Sequence, residues 1–241
     1  MVARKTTTTR KKKAPPKRPF KRRVMGWLMR LIAVGFLIAV FLVVLVAFVN
    51  PPTNAYIYAE ARRLDGVKQD WAAMEDIAPV MARSAVAAED ANFCEHWGFD
   101  MVAIRAAIAQ GSSRGASTIS QQTVKNVFLW QGRSWVRKAM EALLTPLVEA
   151  IWTKRRIVEV YLNIAEFDEG VFGVGAAAKH YFGVAPKNLS ATQAARLAAI
   201  LPSPKKRSAS RPSNYVHKRA RQIRDGAATI GRDGRADCFE S

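Results

Sequence analysis

The chain has 241 residues, and 38 lysines and arginines against 19 aspartates and glutamates give it a formal charge of +19. This length allows one domain of about 150–200 residues with appendages, and such a domain can bury a core without covalent staples. Two cysteines are too few for a disulfide framework, and the cysteines and histidines lack zinc-site spacing. Since Cys238 falls in a polar C-terminal stretch, we do not expect it to pair with Cys94.

The first part of the chain is typical of a membrane anchor. Residues 1–23 form a basic tail, rich in Lys, Arg, Thr and Pro, that cannot bury enough apolar surface to fold alone. Residues 24–49 are predicted to form one transmembrane helix, because their uncharged run of about 19 residues spans a bilayer core. The basic flank precedes this helix, so the positive-inside rule places the N-terminus in the cytoplasm. The alternative is a cleaved signal peptide, but the apolar run is long and lacks a clean cleavage site.

Residues 50–225 are predicted to form one mainly α-helical domain, followed by a polar tail at 226–241. Runs that alternate apolar and polar residues are scarce, whereas apolar residues recur with helical spacing along most of this stretch. Pro79 is expected in the first turn of a helix that ends close to Glu89 and Asp90.

Capping residues predict further helix boundaries. Asp100 is a good N-cap for a helix over residues 101–110. Thr118 and Gln121 have the spacing of a capping box, which starts a second helix. Ser190 is expected to cap a helix near the end of the domain.

Two successive helices are predicted after an apolar segment. They cover residues 137–153 and 154–164, each with an apolar face, and Pro146 predicts a kink in the first because it removes a backbone hydrogen bond. The preceding apolar segment, Val127 to Trp130, fits either the core or a loop that dips into a membrane.

Two acids and the polar residues between them carry the candidate chemistry. Glu89 ends a predicted helix beside Asp90, and Glu141 shares one helix face with Arg137 and Lys138. The polar residues between the acids are Ser117, Gln121, Gln122, Lys125, Asn126 and Arg133. Paired carboxylates alone are typical of a glycosidase, whereas added cations favour a substrate that carries phosphate.

These groups also have ordinary structural interpretations. Arg137 and Glu141 could form a surface ion pair that contributes little to stability. Gln121 and Gln122 could be solvated helix surface. Glu89 and Asp90 could be a solvated pair of acids at the end of a helix. His96 could be a structural histidine with a satisfied hydrogen bond.

Taken together, the segments resemble the five motifs of the peptidoglycan glycosyltransferases. The motifs correspond to residues 89–100, 115–126, 137–141, 156–163 and 194–202. They occur in the family's order over roughly residues 79–221, which is more specific than any one motif. The single span and the lack of a transpeptidase domain resemble the monofunctional members. One departure is Gln193, where the fifth motif often carries an acid.

The resemblance implies a lysozyme-like helical fold and polymerisation of lipid II into β-1,4 glycan with release of polyprenyl diphosphate. It assigns two catalytic residues, Glu89 and Glu141. Glu89 is the expected general base on the 4-hydroxyl of the acceptor, since an alcohol is a poor nucleophile until its proton leaves. Glu141 is expected either to hold basic side chains in place or to help bind a divalent metal.

The resemblance also implies substrate binding by the polar residues around these acids. Lys125 and Arg133 are expected to face the leaving diphosphate, with Arg137 and Lys138 as further cations. The other expected substrate-binding residues are Asp90, Ser117, Gln121, Gln122 and Asn126.

Cofactor, partners and location follow from the same resemblance. We expect a divalent cation, Mg²⁺ or Mn²⁺, at an unspecified site and no organic cofactor. The expected partners are lipid II, the nascent glycan strand and the membrane, with cell-wall or division proteins as further candidates and no nucleic acid. We expect a single-pass inner-membrane protein with a periplasmic catalytic domain.

Two other classes of function remain open from the sequence. A lysozyme-like hydrolase or lytic transglycosylase would have a similar fold, but it would gain little from the cluster of lysine and arginine. A non-catalytic, membrane-anchored interaction protein would explain the basic tail, but it would not require five ordered motifs.

Overall fold

A computed structural model gives the structure of residues 20–111, 115 and 117–240. The chain divides into two compact units, Met1–Leu42 and Val43–Ser241. The first helix, α1, covers Phe20–Phe48 and is long and apolar enough to cross a membrane. It covers nearly all of the span predicted at 24–49, while most of the predicted basic tail lies outside the described residues.

The rest of the described chain is mainly helical, as predicted, with three short strands. The helices are α2 Ala55–Leu64, α3 Pro79–Glu89, α4 Met101–Ala109, α5 Ile119–Phe128, α6 Trp135–Ile151, α7 Lys154–Ile164, α8 Val174–Phe182, α9 Ala191–Ile200, α10 Asn214–Arg232 and α11 Asp237–Glu240. The strands are β1 Lys68–Gln69, β2 Glu166–Asp168 and β3 Val171–Phe172.

The strands form a small sheet in which β3 lies in the centre. It pairs in parallel with β1 and antiparallel with β2. Gly173 follows β3 at a φ of 82°, and a Cβ there would lie 2.9 Å from the carbonyl oxygen of Asn163. This close approach needs glycine, and it ties the sheet to the end of α7.

The core is built around α7 and the helices that pack on it. The helix α5 packs between α6 and α7, and α10 packs against both α3 and α9. Most of α7 is buried because its apolar residues recur on adjacent turns. This packing brings the end of α3 close to the beginning of α5, where the candidate site lies.

The predicted helix starts are confirmed. Pro79 is the first residue of α3, and the side chain of Asp100 accepts a hydrogen bond from the Ala103 N–H at 2.8 Å. Thr118 forms the predicted capping box at the start of α5. The helix α6 runs through Pro146 from Trp135 to Ile151, and the kink there stays a prediction.

Two expectations about the C-terminal stretch were wrong. Cys94 and Cys238 form a disulfide. The boundary predicted after residue 225 falls inside α10, and Phe239 is fully buried, with its ring centroid 6.3 Å from that of Phe93. The stretch is polar on average, but its buried residues, which include Ile230 and Phe239, and its cysteine fix it to the domain.

Candidate active site

Glu89 is the last residue of α3, and its partly buried carboxylate borders a cavity of about 710 Å³. Its Oε2 accepts a hydrogen bond from Gln122 Nε2 at 3.0 Å. Burial raises the pKa of the Glu89 carboxyl, and the hydrogen bond from Gln122 and the charges of Arg219 and Lys125 oppose that rise. A carboxylate with a raised pKa is the stronger proton acceptor.

Asp90 joins the end of α3 to the start of α5. Its Oδ1 lies 2.8 Å from His96 Nε2, and its Oδ2 accepts from the Ile119 N–H at 3.0 Å. Asp90 is buried and does not line the cavity beside Glu89. It therefore contacts the ring of His96 and the start of α5. The structural interpretation of His96 holds for Nε2, whereas the buried Nδ1 has no hydrogen-bond partner among the described residues.

The helix α5 presents its polar residues in two ways. Gln121 is buried, and its Oε1 accepts from the Thr118 N–H at 3.1 Å, so this oxygen serves the capping box. Gln122 lines the cavity beside Glu89 and donates to its carboxylate. Asn126 accepts from Gln131 Nε2 at 3.1 Å. Burial lowers the pKa of the Lys125 ammonium, and the charge of Glu141 opposes this fall.

Glu141 lies on α6 and is only 2% exposed. Its Oε2 accepts from an Arg137 guanidinium nitrogen at 2.8 Å, and its Oε1 accepts from Lys138 Nζ. The surface ion pair interpretation is therefore wrong, because α5 covers the Glu141 face of α6. Lys138 Nζ also donates to Ser117 Oγ at 3.4 Å, which brings four predicted residues together.

These side chains line a second cavity, of about 290 Å³. Its walls are Ser117, Gln121, Gln122, Lys125, Arg137, Lys138 and Glu141. Three cations against one carboxylate leave the cavity with positive charge, which suits an anionic ligand.

A third cavity, of about 530 Å³, adjoins the other two at Gln122, which lines all three. Lys125 and Asn126 also line it, together with four residues that the sequence analysis missed: Tyr56, Glu60, Glu166 and Lys205. Nothing in their local sequence marks them, because they come from distant parts of the chain.

The missed residues form one hydrogen-bonded network. Lys205 Nζ lies 2.9 Å from Glu60 Oε2 and 3.6 Å from Glu166 Oε1. The Tyr56 hydroxyl donates to Glu166 Oε2 at 2.6 Å. Burial together with this bond raises the pKa of Tyr56 to about 12.

The structure does not bring Arg133 together with the other predicted residues. It is exposed in the segment between α5 and α6, and it does not line the three cavities described here. Its contact with a diphosphate stays a prediction.

Among the described residues, Asp90, His96 and Asp100 offer ligand atoms within 4.8 Å of one another. They do not fit a divalent cation well, because Asp90 already binds His96 and the Ile119 N–H, and Asp100 caps α4. The oxygens of Glu141 are likewise taken by Arg137 and Lys138. The divalent cation stays a prediction.

A family model described as "Transglycosylase" matches residues 56–228. The chain belongs to this family. Its helical domain is therefore the lysozyme-like fold of the transglycosylases, as the resemblance implied.

Three similar proteins carry the name "Biosynthetic peptidoglycan transglycosylase". The chain is 60% identical over 214 residues to the protein of Jannaschia sp., covering 88% of this chain and 89% of that protein. It is 45% identical over 227 residues to the protein of Caulobacter vibrioides, covering 89% and 99% respectively. Over 204 residues it is 48% identical to the Pseudomonas aeruginosa protein, covering 79% and 88%.

The structure also explains the departure at Gln193 in this transglycosylase. Gln193 is the third residue of α9, and its Oε1 accepts from the Ser190 N–H at 2.9 Å, which completes a capping box. Glutamate and glutamine serve equally at this position of a capping box. The departure therefore preserves the start of the helix.

Proposed function

We propose that this protein is a peptidoglycan glycosyltransferase that polymerises lipid II into β-1,4 glycan strands and releases polyprenyl diphosphate. The observation that carries the proposal is Glu89, a carboxylate with a raised pKa, held by Gln122 next to a cationic cavity. The names of the similar proteins support the same activity.

Glu89 acts as the general base in one displacement. Its carboxylate takes the proton of the acceptor 4-hydroxyl while that oxygen bonds to the anomeric carbon of the donor sugar. The bond from this carbon to the diphosphate oxygen breaks, and the diphosphate leaves with the electron pair. Because attack and departure occur on opposite faces, an α-linked donor gives a β product.

The cationic cavity stabilises the leaving diphosphate. Lys125, Arg137 and Lys138 line it, and fixed positive charge is most effective where negative charge develops in the transition state. Glu141 accepts hydrogen bonds from Arg137 and Lys138 and so fixes their direction. Its charge also helps Lys125 to stay protonated in a buried position.

A hydrolase is the main alternative, and the state of Glu141 argues against it. Glycosidases use two carboxyl groups that flank the scissile bond. Here the oxygens of Glu141 are engaged by two cations, so this carboxylate is poorly placed to activate water or to protonate a leaving oxygen.

The activity is tested with the full-length protein, lipid II and a divalent cation. We expect long glycan from the wild type, and a loss of about 10²–10⁴-fold in Glu89→Gln because the general base is removed. Glu95→Gln is the matched control, since Glu95 is exposed in the same segment. Soluble fragments released from purified cell wall, with no polymer from lipid II, would establish a hydrolase instead.

We also propose that α1 anchors the protein in the inner membrane with the catalytic domain in the periplasm. The basic residues before α1 support a cytoplasmic N-terminus. The Cys94–Cys238 disulfide supports an oxidising compartment for the domain. Cell-wall or division proteins stay candidate partners of this exposed domain.

The orientation is tested by thiol labelling of the protein in acid-quenched cells. We expect no alkylation of the cysteines before reduction and two modified thiols after it, because the periplasm is oxidising. Two modified thiols without a reductant, in cells where the protein is active, would place the domain in the cytoplasm.

A further inference from the structure

Arg219 lies on α10, outside the five motifs, and contacts the end of α3 that carries Glu89. Its guanidinium donates to the carbonyl oxygen of Ala88, the residue before Glu89, at 2.9 Å. Arg219 and Glu89 also line the same cavity of about 710 Å³. Arg219 therefore contacts the backbone next to the proposed base, and its positive charge acts on the Glu89 carboxylate.

The packing of α10 on α3 fixes Arg219 in this position. One face of α10 is buried, including Val216, Ala220 and Ile223 on the turns around Arg219. A Cβ on Gly226 would lie 3.3 Å from the Ala87 Cβ, which shows how closely the two helices approach. The guanidinium then meets a carbonyl at the C-terminal end of α3, where the helix dipole favours positive charge.

We propose that Arg219 is a positioning residue for the reaction: it holds the last turn of α3 in place and supplies the positive charge that keeps Glu89 ionised. This inference rests on the proposed function, in which Glu89 accepts a proton. A base has to be ionised before it can act, and a partly buried carboxylate needs a nearby cation to stay so.

The groups around Glu89 show why Arg219 matters. On its own segment Asp90 adds negative charge, and on α7 the buried Tyr161 adds no positive charge. On α5, Gln122 donates a hydrogen bond, and the charge of Lys125 is shared with Glu141.

On α10, the same cavity is also lined by Lys218, which is exposed, and by the neutral side chains Tyr215 and Gln222. Among the cations around Glu89, Arg219 has the largest effect on its pKa. Burial raises the pKa of Glu89 and the charge of Arg219 lowers it. Removing that charge therefore raises the pKa of Glu89 further.

Two substitutions separate the charge of Arg219 from its hydrogen bond. Arg219→Gln keeps a donor for the Ala88 carbonyl but removes the charge, whereas Arg219→Lys keeps the charge. Arg221→Gln is the matched control, because Arg221 is exposed on the same helix and lines a different cavity.

The experiment measures kcat/KM for lipid II polymerisation against pH with the full-length variants, after their Tm values are compared with that of the wild type. In the wild type, kcat/KM rises with pH as Glu89 ionises, and this rise is the acidic limb of the profile. In Arg219→Gln we expect the acidic limb to move to higher pH by about one unit. The activity of the variant then falls about tenfold at pH values below the limb and recovers above it. In Arg219→Lys and Arg221→Gln the limb stays close to that of the wild type.

Three results would overturn the proposal. One is a uniform loss in Arg219→Gln with no movement of the limb, which a purely structural role would give. Another is an equal movement in Arg221→Gln, and the third is a movement in Arg219→Lys as large as in Arg219→Gln. If the wild type makes no glycan, the proposed function is wrong. If the wild type is active and any of these three results is found, only the inference about Arg219 is wrong.

Discussion

Burial displaces the pKa values of two neighbouring groups in opposite directions. It raises the pKa of the Glu89 carboxyl and lowers that of the Lys125 ammonium. Both groups have to be charged in the proposed mechanism. Activity therefore falls at low pH as Glu89 gains a proton, and falls at high pH as Lys125 loses one. A site that excludes water strengthens its electrostatic effects at the cost of a narrower pH range.

The raised pKa of Glu89 predicts that Glu89→Gln, although much less active, unfolds at a higher Tm than the wild type at neutral pH. A group whose folded-state pKa is raised favours folding below its unfolded pKa, and this contribution is lost as pH rises through the folded pKa. At neutral pH the ionised carboxylate therefore destabilises the fold, whereas the neutral amide avoids that cost. Thermal unfolding against pH measures the difference, which should shrink under acidic conditions.

The control for this prediction is Glu95→Gln, which changes an exposed carboxylate. We expect no increase in its Tm. A lower Tm for Glu89→Gln at neutral pH would show that the charge of Glu89 stabilises the domain, in conflict with the burial argument.

The sequence predicted the residues of the site better than it predicted their surroundings. Glu89 and Gln122 do meet, and Gln122 shares a cavity with Lys125, because the motifs lie where α3 ends and α5 begins. Arg219 and Lys205 were missed, since their proximity depends on how distant helices pack. The spacing of Arg137 and Glu141 is the same on an exposed or a buried helix face, so only the position of α5 could decide their burial.

The N-terminal caps of two helices use the same chemistry in different places. Thr118 and Ser190 both close capping boxes with a glutamine three residues later. Thr118 also donates to the Gly98 carbonyl at 2.6 Å, which ties α5 to the segment after Glu89. The first cap therefore serves the site as well as the helix.

We predict that Thr118→Ala and Ser190→Ala each lose about 1 kcal/mol of stability, the usual cost of removing an N-cap. Only Thr118→Ala should also lose lipid II polymerisation, because the start of α5 sets the direction of Gln122. Chemical denaturation and initial rates measure the two effects. Equal losses of activity in both variants would contradict the claim that the Thr118 cap, unlike the Ser190 cap, positions Gln122.

The disulfide fixes the last described helix to the segment that follows Glu89. Cys94 and Cys238 are 144 residues apart, so the bond restricts a large part of the unfolded chain. We predict that Cys94→Ser and Cys238→Ser each lower the free energy of unfolding by about 2–5 kcal/mol. The double variant should match the single ones, since one bond is lost in every case.

The wild type under reducing conditions is the internal control for the disulfide. Its free energy of unfolding should fall to that of the serine variants, and the variants should not respond to the reductant. A wild type that is insensitive to reduction would show that the bond contributes nothing to stability.

Local signals predicted the elements well, except at the C-terminal end. Pro79, Asp100 and Thr118 mark helix starts because their effects are local. The stretch from residue 226 was predicted as a tail because its average composition is polar. Its attachment depends on Ala227 and Ile230, which continue the buried face of α10, and on Phe239 and the disulfide. The last two are long-range contacts that leave no periodic pattern, whereas the helical spacing of the first two was outweighed by the polar composition.

At the scale of the whole molecule, the described helices that expose large apolar side chains include α1, α4 and α6, where Trp135 is 92% exposed. The side chains of α1 are mostly exposed, as expected of a helix that crosses a bilayer. The helix α4 buries none of its residues, and Val102 and Ile108 are 73% and 72% exposed. Exposed apolar side chains are typical of sites that contact a membrane or a partner where they form a contiguous patch. The anchor and this apolar helix together fit an enzyme whose substrate is lipid-borne.

We predict that Val102→Glu combined with Ile108→Glu lowers polymerisation of lipid II in vesicles by at least about tenfold, since burial of each such side chain is worth about 1.5–3 kcal/mol. The Tm should hardly change, because α4 contributes no residue to the core. The matched control is Ala191→Glu combined with Ala228→Glu, which adds the same charge at exposed positions on α9 and α10. If α4 meets the membrane, only the α4 variant loses activity in vesicles. Equal losses in both variants would instead point to repulsion by added negative charge anywhere on the domain.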